Sequence, residues 1–409
     1  MKRQVKTKKL VKRKSQKRLK RKVNFKKKLH KKIKYILVKQ LLWPKSIANF
    51  AAWITCALLS ATGVWHKKIA QSIEGDVLVE STERRIQRFF GKFIINYHFF
   101  SVMLYSLLGI KGKLAIILDR TNWDYGKKHI NIFVAAALYK RIGLLQNFAV
   151  PLAWEVFDKK GNSNTQERKK LMTRIFCVVG KENIEVVLAD REFIGDEWLN
   201  FLHVNGIPFI VRIKKMMFVE YGGKRVNALG LVSSVKYNKK LQFDVLLNGI
   251  PIKLAATRSV DGELVIVAAS MDVVGDPLDQ YRLRWMIELF FKSAKTKGFN
   301  IEETHMTDPA KIKSIFAFVA LASVCAVIAG DMRQQFKKIP IKNHGRPKFS
   351  LFTYGLDFFR AIFRGVAPSR MLGAAKNIFL PDDFEAPTFR VVEEEMGFDE
   401  KRVFTLVEG

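Results

Sequence analysis

Cysteine is the scarcest residue type in this chain of 409 residues, and Cys56, Cys177 and Cys325 lie far apart. No C-x-x-C pair occurs, and no histidine stands near a cysteine at metal-ligand spacing. The sequence therefore argues against a disulfide framework and a structural zinc site. We expect three buried, unpaired thiols in a reducing cytoplasm.

Acidic residues are absent before Glu74, whereas residues 2–34 hold 19 Lys or Arg. In the rest of the chain 53 Lys and Arg still exceed 37 Asp and Glu, and the whole chain carries a formal charge of +35. A protein with this charge repels itself unless it meets a polyanion, and nucleic acid is the obvious candidate. We expect an affinity for DNA that falls steeply with salt.

Residues 1–35 also lack the apolar residues that a packed core requires. We predict a disordered basic arm that becomes ordered on DNA. A nuclear-import tag or a ribosome-binding tail has a similar composition. A signal peptide does not, because its charged n-region is far shorter than this stretch.

Long apolar runs are few as well. Only residues 46–65 and 314–330 approach the ~20 residues that a membrane-spanning helix needs. The first run contains several polar residues, and the second is short and rich in Ala and Ser. We therefore expect two core helices and no membrane association.

Apolar residues make up 48% of the chain, with 32 Phe among them, which is enough to bury a large core. Residues 36–110 follow a helical pattern, and we predict an N-terminal helical DNA-binding domain there. Arg84, Arg85 and Arg88 share one side of an amphipathic segment, as suits contact with a DNA backbone. An ordinary solvated helix face would have the same pattern.

The middle of the chain contains three strand-like runs, a helix, a strand, a helix and a final strand. These segments are residues 113–118, 129–138, 144–156, 164–179, 184–189, 196–204 and 207–213. The first of the two helices opens at Asn164 with Glu167 three residues later, the spacing of a capping box. The order predicts an α/β fold with a ribonuclease-H-like mixed sheet flanked by helices.

Short β-type runs separated by turn signals fill the next segment, which we predict to be a β-rich insertion. The helical pattern then resumes, with one break near Pro309. The predicted organisation begins with a basic arm (1–35) and a helical DNA-binding domain (36–110). A catalytic core in two parts follows (111–214 and 271–335), with the insertion between them (215–270). The C-terminal region (336–409) has an acidic end with no assigned role.

Two aspartates end apolar runs: Asp119 follows Lys-Leu-Ala-Ile-Ile-Leu, and Asp190 follows Ile-Glu-Val-Val-Leu-Ala. A carboxylate at the carboxyl end of a buried strand is rigidly held at the sheet rim, where it can reach a ligand. Neighbouring strands would bring the two acids together. Each aspartate taken alone is more typical of a turn that ends a strand.

A third acid lies on a predicted helix, where Tyr281, Arg284, Glu288 and Lys295 project from one stripe at about 100° per residue. Arg and Glu four residues apart are also typical of an ordinary surface salt bridge. The spacing Y-x2-R-x3-E-x6-K nevertheless resembles, without a departure, the YREK signature of the insertion-sequence-4 family of DDE transposases. Lys292 lies on the same broad face and is a further candidate for phosphate contact.

Two more segments carry this resemblance. Leu-Asp119-Arg-Thr-Asn-Trp and Ala-Asp190-Arg-Glu-Phe are similar to the family's first and second acidic motifs. Residues 83–90 resemble its N-terminal helical region. Four motifs in the family's order extend over about residues 40–335, which makes chance agreement improbable.

The resemblance implies a cut-and-paste transposase whose catalytic and metal-binding residues are Asp119, Asp190 and Glu288. Two Mg²⁺ ions, for which Mn²⁺ can substitute, would assist phosphodiester hydrolysis and strand transfer at the element ends. The implied phosphate contacts are Tyr281, Arg284 and Lys295.

The implied partners are double-stranded DNA at the element ends, target DNA, and a second copy of the chain in a synaptic complex. The implied location is the prokaryotic cytoplasm, at the nucleoid. Family members also pass through a DNA hairpin with a flipped base stacked on an aromatic side chain. Trp123, Trp285 and residues of the β-rich insertion are candidates for that role, although core packing is the more usual role for any one of them.

Two other functions remain open on the sequence alone. One is a catalytically inactive, transposase-derived DNA-binding protein, and the other is a ribonuclease-H-like structure-specific nuclease such as a junction resolvase. Four nearby acids could support the catalytic residues from behind, but we expect them to have solvent or capping roles: Asp124, Glu192, Asp196 and Asp272.

Overall fold

The computed structural model describes residues 25–61, 63–73, 77–140, 147–343 and 345–364. The helices are α1 (25–41), α2 (Lys45–Ser60), α3 (His66–Ser72), α4 (Val79–Lys92), α5 (Tyr97–Leu108), α6 (Thr165–Val179), α7 (Asp196–Val204), α8 (Ala228–Val232), α9 (Pro277–Tyr281), α10 (Met286–Lys292), α11 (Pro309–Phe336) and α12 (Leu351–Phe363). The strands are β1 (Leu114–Tyr125), β2 (Lys128–Tyr139), β3 (Phe148–Asp158), β4 (Ile184–Ala189), β5 (Phe209–Arg212), β6 (Phe218–Tyr221), β7 (Lys224–Asn227), β8 (Lys240–Leu247), β9 (Ile250–Arg258) and β10 (Leu264–Ser270).

The strands form one mixed sheet in the order β3-β2-β1-β4-β5-β10-β9-β8-β6-β7. β1, β2 and β3 pair antiparallel, whereas β4 runs parallel to both β1 and β5. Helices α6 and α7 connect β3 to β4 and β4 to β5. The predicted α/β fold, a ribonuclease-H-like mixed sheet flanked by helices, is confirmed.

The predicted β-rich insertion continues this same sheet. β10 pairs antiparallel with β5, and β9, β8, β6 and β7 follow outward from it. One face of β8 remains partly exposed, as its alternating burial pattern indicates. The insertion therefore lengthens the core sheet on the side of β5.

Strand β1 is longer than the sequence predicted. The prediction ended it at Leu118, but β1 runs on to Tyr125 and pairs residue by residue with β2 as far as Tyr125↔Lys128. The polar residues beyond Leu118 stay in the strand because β2 satisfies their backbone hydrogen bonds. Asp119 therefore lies within a strand and not at its end.

Helix α11 is the main helix packed against this sheet, in contact with β3, α2 and α12. It is long and apolar enough to cross a membrane, yet 89% of its most apolar window is buried inside the protein. Helix α2, the other long apolar run, is buried along most of its length as well. Both runs form core helices, as predicted.

The basic arm is shorter than predicted. Residues 25–41 form helix α1, and Leu29, Ile33 and Leu37 are buried in the core. These apolar residues recur every four positions, so they form one stripe although lysines surround them in sequence. The prediction of disorder was wrong for residues 25–35, and residues 1–24 lie outside the described residues.

Two local predictions have opposite outcomes. The capping box at α6 is present, because the Asn164 side chain accepts from the Glu167 N–H and the Glu167 carboxylate accepts from the Asn164 N–H, both at 2.9 Å. Cys56 and Cys325 are buried, but Cys177 is exposed on the outer face of α6, so that prediction was wrong.

Candidate active site

The two predicted catalytic aspartates lie side by side on adjacent parallel strands. Leu118 of β1 pairs with Ala189 of β4, and this is the last pair of that ladder. Asp119 continues β1, and Asp190 is the first residue after β4. β1 runs on beside β2 from this point, whereas β4 ends, and we call the space where the two chains separate the cleft.

Each aspartate is fixed by the same local hydrogen bond. The backbone N–H of Arg120 donates to Oδ1 of Asp119 at 2.8 Å, and that of Arg191 donates to Oδ1 of Asp190 at 2.7 Å. The bond holds each carboxylate in one orientation. Oδ2 of each carboxylate remains for other partners.

The third predicted acid comes from a helical run that is not a uniform α-helix. α9 is followed by a 3₁₀ segment (Arg282–Trp285), then by α10 and by a π-helical turn (Ser293–Lys297). The 3₁₀ geometry aligns side chains three residues apart. Tyr281 and Arg284 therefore face the cleft together, and Glu288 follows one α-helical turn later.

Arg284 connects the helical run to the sheet. Its guanidinium donates to Oδ2 of Asp119 at 2.9 Å and also to Oε1 of Glu288. The Tyr281 hydroxyl lies 3.5 Å from Oδ1 of Asp190, and the Arg284 guanidinium lies 6.0 Å from the Tyr281 ring. All three acids thus face one cleft, which Arg284 and Tyr281 span.

The cleft is poorly solvated. The side chains of Asp119, Arg284 and Glu288 are 17%, 12% and 32% exposed. Burial raises the pKa of the Asp119 carboxyl to about 6, although Arg284 beside it acts in the opposite direction. Burial also raises the pKa of the Tyr281 phenol, which stays protonated at neutral pH. Negative charge is costly here unless a cation accompanies it.

The donor set fits a hard divalent cation, because three carboxylates supply oxygen ligands of the kind that Mg²⁺ and Mn²⁺ bind. Within the described residues, however, no three acidic, histidine or cysteine side chains stand close enough together to hold one ion. The Arg284 guanidinium lies between Asp119 and Glu288 and occupies one oxygen of each carboxylate.

The segment that carries these residues matches a known family. Residues 110–325, a little over half of the chain, match the family described as Transposase DDE domain. The chain belongs to that family. It is therefore a DDE-type DNA transposase, and the strands and the helical run that form the cleft all lie within the matched residues.

Two solved structures are similar to this transposase at 10% sequence identity. One is a piggyBac transposase synaptic complex with hairpin DNA, with a TM-score of 0.42 over 90% of this chain and 86% of that chain. The other is endonuclease V from Bacillus subtilis, with a TM-score of 0.24 over 55% of this chain and 92% of that chain. No curated protein matches the transposase in sequence.

The last residue of the YREK-like set lies away from the acids. Lys295 donates to the carbonyl of Asn122 at 2.8 Å, pairs with Glu302 at 2.8 Å, and stands 5.8 Å from the Trp123 ring. Asn122 is three residues beyond Asp119 on β1, so Lys295 flanks the cleft. Lys292 is exposed one α-helical turn after Glu288.

The structure reveals a supporting network that the sequence analysis missed. Arg120 donates to both carboxylate oxygens of Glu192, at 2.7 and 2.5 Å, and to Gly161 and Asn162. Arg168 donates to the Glu192 carbonyl at 2.8 Å. The prediction of a solvent or capping role was wrong for Glu192. Its three companions are exposed, as expected: Asp124, Asp196 and Asp272.

The predicted DNA-binding helix presents only part of its arginine set to one surface. Arg84, Arg88 and Lys92 recur every four residues on α4 and line a shallow groove of about 590 Å³ with Gln87 and Gly91. The Arg85 guanidinium instead stacks 4.2 Å from the Phe50 ring of α2. Arg85 therefore helps to attach α4 to the helical bundle.

Proposed function

We propose that this DDE transposase excises and inserts a mobile DNA element by a cut-and-paste reaction. It would hydrolyse phosphodiester bonds at the element ends and transfer the freed ends to target DNA. The observation that carries the proposal is the common cleft, with Asp119 and Asp190 on adjacent strands and Glu288 joined to Asp119 through Arg284. The YREK-like spacing supports an element of the insertion-sequence-4 type.

The proposed cofactor is Mg²⁺, with Mn²⁺ as a substitute, and its proposed ligands are Asp119, Asp190 and Glu288. When bound, divalent ions supply the Lewis acidity that assists phosphodiester cleavage. The two aspartates suit this role because their strands and the backbone bonds to Oδ1 fix both carboxylates. Glu288 is more exposed and sits on a short helix, so it is the acid with the most freedom to adjust.

The proposed phosphate contacts follow one line along the cleft. Arg284 can grip a phosphate with two parallel N–H donors, and the protonated Tyr281 hydroxyl can donate a further hydrogen bond. Lys295, in the π-helical turn, contacts Asn122, which lies three residues beyond Asp119 on β1, and Lys292 is exposed on α10. A DNA strand that enters at Lys295 would reach the three acids.

The groove on α4 is the proposed contact for the duplex backbone at the element end. Arg84, Arg88 and Lys92 supply three positive charges on one helix face, and none of the residues lining the groove is acidic. Phosphate contacts of this kind position a duplex without reading its sequence. Arg85 is not part of this contact, because Phe50 holds its guanidinium.

Further features of the proposal concern assembly and intermediates. Two copies of the chain would pair two element ends with target DNA, at the nucleoid of a prokaryotic cell. For a hairpin intermediate, Trp285 is the better base-stacking candidate because it is 56% exposed and adjacent to Arg284. Trp123 is half-buried, and in the part of the chain that the structure describes its buried indole N–H has no hydrogen-bond partner.

The test is cleavage of labelled duplexes that carry the DNA flanking the gene. With Mg²⁺, we expect nicking at the boundary of the element, followed by strand transfer, and no such products without a divalent ion. A four-way junction serves as the control substrate. Binding of the ends without nicking would instead indicate an inactive DNA-binding protein, and preferential cleavage of the junction would indicate a structure-specific nuclease.

A further inference from the structure

The position of Arg284 suggests a role beyond phosphate contact. We infer that Arg284 is an internal cation, which holds Asp119 and Glu288 together in the free protein and yields to a divalent ion when DNA draws it away. The inference rests on the proposed metal site. The consequence is a coupling between the two ligands: bound DNA raises the affinity of the cleft for the metal, and bound metal raises its affinity for DNA.

Arg284 and a divalent ion compete for the same carboxylate lone pairs. Arg284 donates to Oδ2 of Asp119 and to Oε1 of Glu288. An Mg²⁺ ion needs carboxylate oxygens at about 2.0–2.1 Å in a nearly octahedral arrangement. A guanidinium stays charged at all physiological pH values, so it cannot lose a proton to make room. Ion and guanidinium therefore exclude one another at these two oxygens.

A DNA phosphate can release Arg284 from the two carboxylates. Its side chain is only 12% exposed, so it needs a new anionic partner when it leaves the carboxylates. A DNA phosphate provides two oxygens that match the guanidinium fork. Phosphate is thus the ligand that can exchange with the carboxylates while Arg284 keeps its hydrogen bonds.

The backbone around Arg284 can adjust. The 3₁₀ segment Arg282–Trp285 contributes no fully buried residue, although Leu283 packs partly against the core, whereas α10 directly after it is anchored by the buried Ile287, Phe290 and Phe291. A small shift of this segment would move Arg284 without disturbing the packing of Glu288's helix. Short 3₁₀ stretches within longer helical runs often act as hinges.

The experiment measures Mn²⁺ binding to the full chain by the loss of the free-ion electron paramagnetic resonance signal, with and without a short duplex of element-end DNA. The variants are Arg284→Gln and Arg284→Lys. The matched control is Arg282→Gln, because Arg282 lies in the same segment, is 69% exposed and pairs with Asp279 outside the three acids. Asp119→Asn reports on the metal site itself.

Without DNA, we expect Arg284→Gln to bind Mn²⁺ at least about tenfold more tightly than the wild type, a size typical of couplings between sites. Arg284→Lys should fall between them, and Arg282→Gln should match the wild type. DNA should tighten Mn²⁺ binding more in the wild type than in Arg284→Gln. The wild-type measurement needs no variant to fold.

Two other results are informative in different ways. Equal or weaker Mn²⁺ binding by a folded Arg284→Gln protein would overturn the internal-cation role and leave the proposed function intact. Unchanged Mn²⁺ binding by Asp119→Asn would overturn the metal site of the proposed function, and the inference with it.

Discussion

Glu192 holds together the two segments that carry the catalytic aspartates. Its carboxylate accepts two hydrogen bonds from Arg120, the neighbour of Asp119, while Glu192 itself follows Asp190 by two residues. Both side chains of this pair are largely buried, at 14% and 21% exposure. A charge-assisted, bidentate pair in such a place fixes geometry more firmly than a surface ion pair does.

We predict that Glu192→Gln lowers kcat for end cleavage by about 10- to 100-fold, the usual cost of losing a group that orients metal ligands. KM for DNA should stay unchanged, because the Glu192 carboxylate is held by the Arg120 guanidinium and is not one of the proposed DNA contacts. The matched control is Glu197→Gln, which removes a 61% exposed partner of Lys169. A kcat equal to the wild-type value in Glu192→Gln would refute the positioning role.

At this scale the sequence indicated the candidate acids but not the side chains around them. Asp119 and Asp190 each follow an apolar run, and Glu288 shares a predicted helical stripe with Tyr281 and Arg284. The pair Arg120–Glu192 joins residues 72 positions apart, and no local periodicity reports such a contact. The bonds from Arg284 to two of the acids were equally hidden, because the YREK-like spacing indicates a shared stripe and not the direction of each side chain.

At the scale of elements, α11 and α12 cross in direct backbone contact. The crossing places Gly330 of α11 against the Leu351 carbonyl and Gly355 of α12 against the Ala326 carbonyl. A methyl group at either glycine would overlap backbone atoms, which cannot move aside as a flexible side chain could. The crossing therefore depends on two residues without a Cβ.

We predict that Gly330→Ala lowers the free energy of unfolding by about 2–4 kcal/mol through overpacking. Urea denaturation provides the measurement. The control is Gly91→Ala in α4, where a new Cβ meets only Lys311 Cε at 3.8 Å. That change should be neutral or stabilise by up to ~1 kcal/mol, since alanine is the better helix former. If Gly330→Ala and Gly91→Ala had similar free energies of unfolding, the claim that α11 and α12 are in backbone contact at Gly330 would be contradicted.

The packing of α3 on α4 creates a sensitivity to acid. The ring of His66 stacks on Phe90 with centroids 5.8 Å apart, and its Nε2 is buried with no hydrogen-bond partner among the described residues. Burial lowers the pKa of His66 to about 4, and the positive charge of Lys311 acts in the same direction. His66 is therefore neutral in the folded protein at pH 5, whereas the unfolded chain, with a pKa near 6.5, takes up a proton.

Because the unfolded state binds the extra proton, stability should fall as the pH drops from about 6.5 to about 4. The loss attributable to His66 should be about 1–3 kcal/mol at its full extent. We predict that His66→Phe flattens the unfolding free energy over this pH window. His203→Phe on α7 is the control, since that change removes another histidine far from the α3–α4 contact. An equally steep pH dependence in His66→Phe would contradict the prediction.

Elements with local start signals were predicted to within a few residues. The capping box at Asn164 and the apolar runs of β4 and α7 are examples, because each depends on neighbouring residues. The run from α9 to α10 was predicted as one regular helix, but it contains 3₁₀ and π-helical turns. Such turns arise where tertiary contacts, here the bonds of Arg284 across to Asp119, compete with the regular helical repeat.

For the whole molecule, positive charge is the dominant property. Residues 2–24 contain 13 of the 72 Lys and Arg residues, and no acid. Each phosphate that such residues neutralise releases counterions and steepens the salt dependence of DNA binding. The groove on α4 adds a second cationic surface within the described residues.

We predict that deleting residues 2–24 weakens DNA binding and makes its dependence on salt less steep by several counterions. Fluorescence anisotropy at increasing NaCl concentrations gives the slope. Circular dichroism of the truncated chain provides the control for folding. A slope identical to that of the full chain would show that this segment does not contact phosphate.

The order of strands and helices was sufficient to predict the ribonuclease-H-like arrangement, since the sequence of elements restricts the topology strongly. Two global features could not be predicted. The insertion continues the core sheet through the β5–β10 pair, a contact between strands with no shared local pattern. The length of the disordered arm was overestimated, because the lysines around Leu29, Ile33 and Leu37 in sequence hide the helical spacing of these three residues.

The most direct test of the account is whether the three acids act as one catalytic unit. The measurement is the rate of end-DNA cleavage in Mg²⁺ by Asp119→Asn, Asp190→Asn, Glu288→Gln and their double variants, with Glu263→Gln, a 57% exposed partner of Arg212, as the control. We expect each single change to lower the rate by at least about 1,000-fold with DNA binding retained, and the double changes to add little further loss. Cleavage at nearly the wild-type rate by any single variant would contradict the account.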